Sequence, residues 1–361
     1  MAHVRGCIAL AAVLAGAAAF AAETPTGAAA PAPPPVSVET TLATERDNVP
    51  QCAYDGKAET CFLSAQPAKA GDTFTLMFAE PARLGRVAVA TGTPEGKNVV
   101  AGAALEASAD GKEFRQVAAF ASGAARADLG GKETRALRIR ATADGAAPVA
   151  VREITIDATP PIPVFKYPLL VRLDYSEVPE MKDWCERAAR LVEQWYPKIA
   201  DTLASDGYSP PRRINLTFKK GDKGIAGTSG SNITAYDGWF KAHPADVGAI
   251  IHEAIHVVQS YRSRTNPGWL VEGIADYVRF WIFEPQPPKR RLDPDRIKYT
   301  DSYQITAAFL AWAVEKRDKA LVTKLNAACR KGQYKPELWK EYTGKDLDAL
   351  WEEFRQSLPK R

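Results

Sequence analysis

The sequence predicts two domains, an antiparallel β-sandwich followed by an α+β domain in which helices dominate. Three observations predict this division. The length of 361 residues exceeds the usual size of one compact domain. Short segments with period-two alternation fill residues 37–158, whereas apolar residues recur at helical spacing from residue 181 onward. Between them, the stretch ATPPIPVFKYP at 158–168 interrupts both patterns.

Residues 1–21 are typical of an export signal. Arg5 precedes a short apolar run, and AFA at 19–21 fits a small-x-small cleavage site. The run is too short for a comfortable transmembrane span, and we expect no membrane span in the mature chain. An Ala/Pro-rich linker follows at 22–36. We therefore expect a secreted or periplasmic protein.

The sandwich is predicted over residues 37–158, where Gly, Asp and Pro separate short alternating segments. These segments are TFTLMFA (73–79), RVAVAT (86–91), LEASAD (105–110), ALRIRAT (136–142) and VREITID (151–157). Many short strands at this spacing predict an antiparallel β-sandwich.

Residues 163–361 form the predicted α+β domain. Helical spacing extends over 181–204, and RINLTFKK at 213–220 and SNITAYD at 231–237 are typical of strands. Five further helical stretches are expected at about 245–262, 269–283, 302–315, 319–330 and 345–357.

The composition gives no reason to expect nucleic acid as a partner. The net charge of +4 is mild for this length, and the basic residues are spread along the chain rather than arranged in a stripe. Hydrophobic residues at 46% and charged residues at 25% are ordinary for a soluble globular protein.

Four cysteines outside the export signal are candidates for disulfide bonds, because an oxidising compartment favours them. Cys52 and Cys61 flank a short loop and pair plausibly by proximity. Cys185 and Cys329 would then pair by elimination, a geometry that sequence cannot test. A buried free cysteine is the alternative.

The stretch IHEAIHVVQSY at 251–261 predicts a metal site. His252 and His256 lie four residues apart, so both imidazoles project from one face of an α-helix. Zinc accepts neutral imidazole nitrogen, and the one-turn spacing brings both nitrogens to a single ion. Glu253 leans toward the same side, where it can take a proton from zinc-activated water. The alternative is a surface helix with two incidental histidines.

A second stretch, NPGWLVEGIADYVRF at 266–280, supplies the third ligand. Its Asn-Pro start is typical of a helix N-terminus. Glu272 and Asp276 lie four apart on one face of that helix. Glu272 is the candidate third ligand, which leaves the fourth zinc position for water. Asp276 is the candidate acceptor for the N–H of one ligating histidine.

These two stretches together resemble the basic secretory protein family of plant and bacterial zinc peptidases, which carries the gluzincin-type pattern HExxH…ExxxD. GTSGSNITAYDGWF at 227–240 and SYQITAAFLAWAVEK at 302–316 also resemble that family, and the similarity covers about residues 165–358. The resemblance implies a zincin-like α+β fold, one zinc ion and a peptide or protein substrate, with glycoproteins as candidates.

Further roles follow from the same resemblance. Tyr303 is implied as the residue that stabilises the developing oxyanion beside the zinc. The strand at 231–237 is expected to present its edge to an extended peptide, with Asn232 and Thr234 as substrate contacts.

Residues 53–90 resemble the discoidin, or coagulation-factor type C, modules. The Asp55-Gly56 pair, Thr60 and Ser64 carry this likeness. It implies a galactose-binding-like jelly roll over 37–158 that binds a glycan or another surface ligand and holds a structural calcium ion. A spacer domain without a ligand is the alternative.

Two functions of different classes follow. The first is a secreted zinc endopeptidase that hydrolyses peptide bonds by zinc-activated water with Glu253 as general base. The second is a glycan- or surface-binding protein whose peptidase-like half is only a scaffold without significant proteolysis. The intact Glu253 favours the enzyme, because a scaffold has no use for a base.

Overall fold

The computed structural model describes residues 35–284, 292–301 and 303–359. The predicted export signal lies outside the described residues, as does almost all of the predicted linker. Buried apolar side chains form two separate cores, one built from residues between 36 and 154 and the other from residues between 169 and 354. No helix in these described ranges combines the length and the apolar character that crossing a bilayer requires.

Seven antiparallel strands surround the first core. They are β1 (Val36–Thr40), β2 (Phe62–Pro67), β3 (Thr73–Thr91), β4 (Ala103–Ser108), β5 (Arg115–Ala119), β6 (Ala124–Ala141) and β7 (Pro148–Thr159). The strand order is β2-β7-β3-β6-β4-β5, and β1 pairs with the first half of β3. A 3₁₀ helix at Pro50–Tyr54 joins β1 to β2. The predicted antiparallel β-sandwich is confirmed.

The long strands β3 and β6 bend and serve both layers of the sandwich. The first half of β3 pairs with β1, the second half pairs with β7, and β6 pairs with both halves. Even-numbered residues such as Phe74 face the core in the first half, and odd-numbered residues such as Val87 do so in the second. A register shift between Leu84 and Arg86 accompanies this change, because a bulge is needed to reverse the alternation.

A four-stranded sheet and the helices packed on it surround the second core. The strands are β8 (Leu170–Asp174), β9 (Arg213–Lys219), β10 (Ala226–Ser229) and β11 (Asn232–Tyr236). The helices are α1 (Lys182–Thr202), α2 (Asp237–Ala242), α3 (Gly248–Gln259), α4 (Gly268–Val278), α5 (Tyr303–Lys316), α6 (Leu321–Arg330), α7 (Glu337–Thr343) and α8 (Leu347–Ser357). A 3₁₀ turn at Pro179–Met181 precedes α1, and a π-helical turn at Arg279–Phe283 extends α4.

Strand β11 is internal, and this corrects one prediction. It pairs in parallel with β9 and antiparallel with β10, so both of its sides are occupied. The edge of the sheet beside α3 is β10 instead. The sequence Ala-Gly-Thr-Ser of β10 has no apolar alternation, so the pattern that predicted the other strands did not find it.

The predicted disulfides are not formed. Cys52, Cys61, Cys185 and Cys329 are all free and buried. Burial raises the pKa of Cys185 and that of Cys329 to about 12 each, so both thiols stay protonated. Each acts as a small apolar side chain within a core, a role that needs no partner sulfur.

A cavity of about 1610 Å³ lies between the two cores. It is lined by β1, by residues of the connecting segment and of β8 between 163 and 173, and by one side of α1. The predicted metal ligands do not line it. The predicted metal site thus lies on α3 and α4, away from this cavity.

Candidate metal centre

Helix α3 carries both predicted histidine ligands. Its Ile251, Ile255 and Val258 are fully buried, and this packing fixes the rotation of the helix about its axis. The rings of His252 and His256 consequently lie side by side, with centroids 4.7 Å apart in an edge-to-face arrangement. Their side chains are 12% and 16% exposed, so the pair lies just below the surface.

Oppositely charged side chains hold the two ends of α3. Near the N-terminus, Asp246 accepts a hydrogen bond from the Ala249 N–H at 3.3 Å. Near the C-terminus, Arg330 donates to the carbonyl oxygens of Val258 and Gln259 at 2.9 and 3.1 Å. A negative charge at the first turn and a positive charge at the last both interact favourably with the helix dipole. The helix that presents the histidines is therefore anchored at both ends.

Helix α4 brings Glu272 to the histidines. The chain reverses after α3 at Ser260, which adopts a left-handed φ of 47°. Glu272 Oε2 lies 3.1 Å from Nε2 of His252 and 3.1 Å from Nε2 of His256, and the two nitrogens are 3.0 Å apart. Among the described residues, these three form the one cluster of three or more His, Cys, Asp or Glu ligand atoms.

The cluster fits a tetrahedral zinc site. Zinc bonds of about 2.0–2.1 Å place two ligand atoms about 3.3 Å apart. The observed separations of 3.0 and 3.1 Å are close to that value. Two imidazole nitrogens and one carboxylate oxygen are also a donor set of open zinc sites, which keep one coordination position free.

The charges around the cluster favour a cation. Burial alone would lower the pKa of His252, but hydrogen bonds with Asp276 and Glu272 outweigh it and raise that pKa to about 10. Burial alone would raise the pKa of Glu272, but the two histidines hold it well below its usual range. A proton on His252 thus offsets part of the negative charge of the carboxylates when no metal ion is bound. A divalent cation could replace this proton, since metal binding releases protons from its ligands.

Asp276 and Gln259 each bind the outer nitrogen of one histidine. Asp276 Oδ1 lies 2.7 Å from Nδ1 of His252, which identifies the histidine that Asp276 orients. Gln259 Oε1 lies 2.7 Å from Nδ1 of His256. Both Nε2 atoms are thereby directed toward Glu272, because the outer nitrogen of each ring is already hydrogen-bonded.

The predicted base, Glu253, contacts the edge strand of the sheet. The Thr228 hydroxyl on β10 lies 2.6 Å from Glu253 Oε2 and 3.0 Å from the Glu253 carbonyl oxygen. A hydroxyl carries a single proton, and a charged carboxylate is the stronger acceptor. Thr228 therefore holds one oxygen of Glu253 and leaves Oε1 as the oxygen that can serve in proton transfer.

Tyr303 lies at the mouth of the site, on the first turn of α5. Its ring centroid is 6.5 Å from that of His252, and the residue is 38% exposed. Partial burial, and then the charges of Glu272, Asp276 and Glu253, raise the pKa of Tyr303 above its ordinary value. Its hydroxyl therefore stays protonated at neutral pH and can donate a hydrogen bond.

The two predicted substrate contacts, Asn232 and Thr234, lie on the other face of the sheet. Thr228 is directly opposite Ile233, so these two side chains share the face that packs toward α3. Residues 232 and 234 alternate with Ile233 and point away from it. Asn232 is hydrogen-bonded to Asn215 on the polar face. The expectation that both residues line the cleft is wrong, because the alternation of the strand excludes it.

Sequence reasoning missed two residues of the site, Thr228 and Gln259. Gln259 lies three residues after His256, so the helical period itself could have indicated it. Thr228 had no such signal, because its contact with Glu253 joins a strand to a helix that is 25 residues away in the chain.

The domain that carries the His-Glu cluster is similar to a known protein family. Residues 177–354 match the model of the family BSP, described as a peptidase of plants and bacteria. This part of the C-terminal domain is thus similar to that peptidase family. The matched range contains α1 to α7, most of α8 and every residue of the His-Glu cluster, and we refer to this part of the chain as the peptidase domain. No curated protein compared with the chain matches it.

Solved carbohydrate-binding modules are similar to about a third of the chain. A CBM32 module from a family 31 glycoside hydrolase of Clostridium perfringens covers 34% of this chain and 94% of its own, with 17% identity and a TM-score of 0.30. Chitosan-binding module 1 from a chitosanase/glucanase of Paenibacillus sp. IK-5 covers 35% and 98%, with 12% identity and a TM-score of 0.30. A fucose-binding module of Streptococcus pneumoniae covers 35% and 96%, with 11% identity and a TM-score of 0.28.

Outside the peptidase domain, the sandwich contains two carboxylates close enough to affect each other. Asp55 is buried and accepts a hydrogen bond from the Thr60 hydroxyl at 2.8 Å. Burial, followed by the charge of Asp55, raises the pKa of Glu153 to about 7. Glu153 Oε2 and Gln51 Oε1 are buried without a hydrogen-bond partner. Oxygens of this kind are the ligand type that calcium prefers, so Glu153 and Gln51 are candidate ligands for the expected ion.

Proposed function

We propose that the peptidase domain is a zinc-dependent endopeptidase that hydrolyses peptide bonds with Glu253 as general base. One observation carries the proposal: Glu272 Oε2 and the Nε2 atoms of His252 and His256 approach to 3.0–3.1 Å beside the base. The family match supports the peptidase activity, and the donor set supports zinc.

The residues of the chain divide the chemistry between them. A zinc ion held by His252, His256 and Glu272 would supply Lewis acidity, which lowers the pKa of water and polarises a carbonyl. Glu253 takes the proton of the attacking water at Oε1 and transfers it to the nitrogen of the leaving amine. Tyr303 donates a hydrogen bond to the oxyanion that develops on the former carbonyl oxygen.

The substrate enters along β10. Among the described residues, one side of this edge strand is unpaired, and it offers main-chain N–H and C=O groups to an extended peptide. Thr228 lies in the same strand. Recognition of main chain along an edge requires no chain terminus, so we assign internal cleavage of a peptide or protein. Glycoproteins are candidate substrates if the sandwich binds glycans.

The test compares wild type, Glu253→Gln and Glu272→Gln in casein hydrolysis, with zinc measured by elemental analysis. We expect one zinc per wild-type chain. Glu253→Gln should keep the zinc and lose about 10²–10⁴-fold in rate, the usual contribution of a general base. Glu272→Gln should lose both zinc and activity.

Glu186→Gln is the matched control, because Glu186 lies on α1 outside the site. It should cleave casein like the wild type. Equal cleavage by wild type and Glu253→Gln would refute Glu253 as the base, and a wild type without bound metal would refute the zinc site.

We propose separately that the sandwich binds a glycan and a structural calcium ion, and that the chain is secreted or periplasmic. Resemblance to discoidin modules supports the first two. A glycan array probed with the full chain and with its Glu253→Gln variant tests glycan binding. If no glycan on the array is bound, a spacer role for the sandwich is favoured.

Fractionation of cells and N-terminal sequencing of the mature protein test export. We expect the mature protein to start near residue 22.

A further inference from the structure

Gln259 is a buried amide that joins the two helices of the metal centre. It is the last residue of α3 and is only 1% exposed. A buried amide needs partners for both its oxygen and its nitrogen. Its Oε1 lies 2.7 Å from Nδ1 of His256, and its Nε2 donates to the Val271 carbonyl oxygen at 2.9 Å. Both of its polar atoms are therefore hydrogen-bonded.

The Val271 carbonyl determines which way the amide points. A carbonyl oxygen can only accept, so the NH₂ group of Gln259 has to face Val271. The amide oxygen then faces His256, and it too can only accept. Nδ1 of His256 must therefore carry the proton. The other ring nitrogen, Nε2, then carries the lone pair, which faces the space shared with His252 Nε2 and Glu272 Oε2, 3.0 and 3.1 Å away.

The same amide also positions the third ligand. Val271 immediately precedes Glu272 in α4, so the bond from Gln259 fixes the turn of α4 that carries the carboxylate. Asp276 makes the reverse connection, from α4 to His252 on α3 at 2.7 Å. Two side chains thus connect the helices in opposite directions, and each of them orients one histidine.

We propose that Gln259 is a positioning residue that selects the Nδ1–H tautomer of His256 and holds Glu272 in place, and so sets the affinity of the site for a divalent cation. This role rests on the proposed zinc site. Gln259 does not titrate, so it binds the histidine without adding a second buried negative charge to that of Asp276.

The experiment measures zinc affinity of the full chain by competition with a chromophoric chelator. Gln259→Leu removes both bonds, and we expect its affinity to fall about 10–100-fold, as is usual when the hydrogen-bond partner of a ligating histidine is lost. The visible spectrum of the cobalt-loaded protein should also change, because the ligand geometry is relaxed. Gln259→Glu keeps the acceptor for His256 but loses the donor to Val271, so it should recover only part of the affinity.

Val257→Ala is the matched control. Val257 is 1% exposed on the same helix, so its truncation lowers stability without touching either histidine. Its zinc affinity should stay within about twofold of wild type, because the substitution weakens only the packing of the core. If Val257→Ala loses as much affinity as Gln259→Leu, the effect of Gln259 is merely structural and the proposal is wrong.

Other outcomes separate this role from the proposed function. If the wild type and the leucine variant bind zinc with equal affinity, the proposed role of Gln259 is wrong but the zinc site stands. A glutamate variant as weak as the leucine variant would show that the acceptor for His256 adds no affinity, which would overturn the role of Gln259 in orienting that histidine. If the leucine variant does not fold, the imidazole ¹⁵N chemical shifts of the wild type identify the tautomer of His256. A proton on Nε2 instead of Nδ1 would contradict the proposal. A wild type that binds no zinc would remove both proposals together.

Discussion

At the residue scale, two hydroxyl groups from elements without metal ligands surround the space in front of the cluster. Thr228 of β10 holds Glu253 Oε2 at 2.6 Å, and Tyr303 of α5 lies 6.5 Å from His252 between ring centroids. Each has a distinct task in the proposed reaction. Thr228 keeps the base in one orientation, and Tyr303 is free to reach an oxyanion. Their substitutions should therefore affect turnover and leave metal binding intact.

Replacing Thr228 by Val should lower kcat by about tenfold, with KM and zinc content nearly unchanged. Valine has the shape of threonine but no donor, and a hydrogen bond to a charged group contributes about 1.5–3 kcal/mol. Steady-state kinetics on a fluorogenic peptide measure the effect. Thr228→Ser restores the donor and should restore most of kcat. A valine variant as fast as wild type would show that Glu253 needs no such support.

Replacing Tyr303 by Phe should lower kcat by about 10²-fold, because removal of one oxyanion donor typically costs about 10²–10³-fold. Zinc content, measured by elemental analysis, should not change. Tyr277→Phe is the matched control, since Tyr277 stacks on Trp281 and is not part of the cluster. If both variants keep wild-type kcat, another group must stabilise the oxyanion.

At the element scale, the approach of α5 to α4 depends on a glycine. A Cβ atom on Gly273 would lie 2.1 Å from Thr306 Cγ2, which is far too close for two non-bonded carbon atoms. Gly273 follows the ligand Glu272, and Thr306 lies one turn after Tyr303. The absence of a side chain at 273 thus lets α5 come close enough to bring Tyr303 to the metal centre.

Replacing Gly273 by Ala should therefore destabilise the peptidase domain by about 1–3 kcal/mol, the usual cost of overpacking. Chemical denaturation of the zinc-loaded chain measures this. Gly268→Ala is the control in the same helix, because a Cβ there meets nothing within 4 Å. Thr306→Ser removes the methyl group and should recover part of the loss in the double variant. Equal stability of the Gly273→Ala and Gly268→Ala variants would contradict this account of the packing.

At the scale of the whole molecule, two separate cores allow the halves of the chain to respond to different conditions. The candidate metal centre lies in the peptidase domain, whereas Asp55 and Glu153 lie in the sandwich. Zinc should therefore stabilise one half and calcium the other. The raised pKa of Glu153 means that the folded sandwich retains a proton that the unfolded chain has already released.

The sandwich should accordingly lose stability as the pH rises. The pKa of Glu153 is about 7 in the folded chain and 4.5 by its ordinary value, so the stabilisation is complete below pH 4.5 and is lost as the pH rises through 7. The change amounts to about 3 kcal/mol at most, from about 1.4 kcal/mol per pKa unit. Scanning calorimetry of wild type and Glu153→Gln measures the difference, and the variant should be the more stable protein at pH 8.

Calcium provides the complementary observation. It binds the ionised carboxylate, so it should raise the Tm of the wild-type sandwich at pH 8 but not that of Glu153→Gln. Magnesium at the same concentration is the control, because its stricter octahedral geometry does not suit a site of buried oxygens. A difference between wild type and Glu153→Gln that stays constant from pH 5 to 8 would contradict the pKa shift.

Much of the site was readable from spacing because its parts are local. His252 and His256 meet because one helical turn separates them, and Glu272 belongs to the next helix along the chain, where its spacing from Asp276 follows the same period. The alternation of β3, β6 and β7 predicted the sandwich for a similarly local reason. The sequence did not predict that β3 continues through its bulge. At Gly85 the buried positions change from even-numbered to odd-numbered residues, so one strand is read as two separate alternating segments.

The sequence alone therefore determined the two folds and the set of candidate ligands, since both follow from periodicities of a few residues. Only the tertiary structure decided that β10 is the edge, that Asn232 and Thr234 face away from the cleft, that the cysteines are free, and that Thr228 supports Glu253. The physical reason is that these properties depend on which side of a strand or helix packs against a distant element. No local period contains that information.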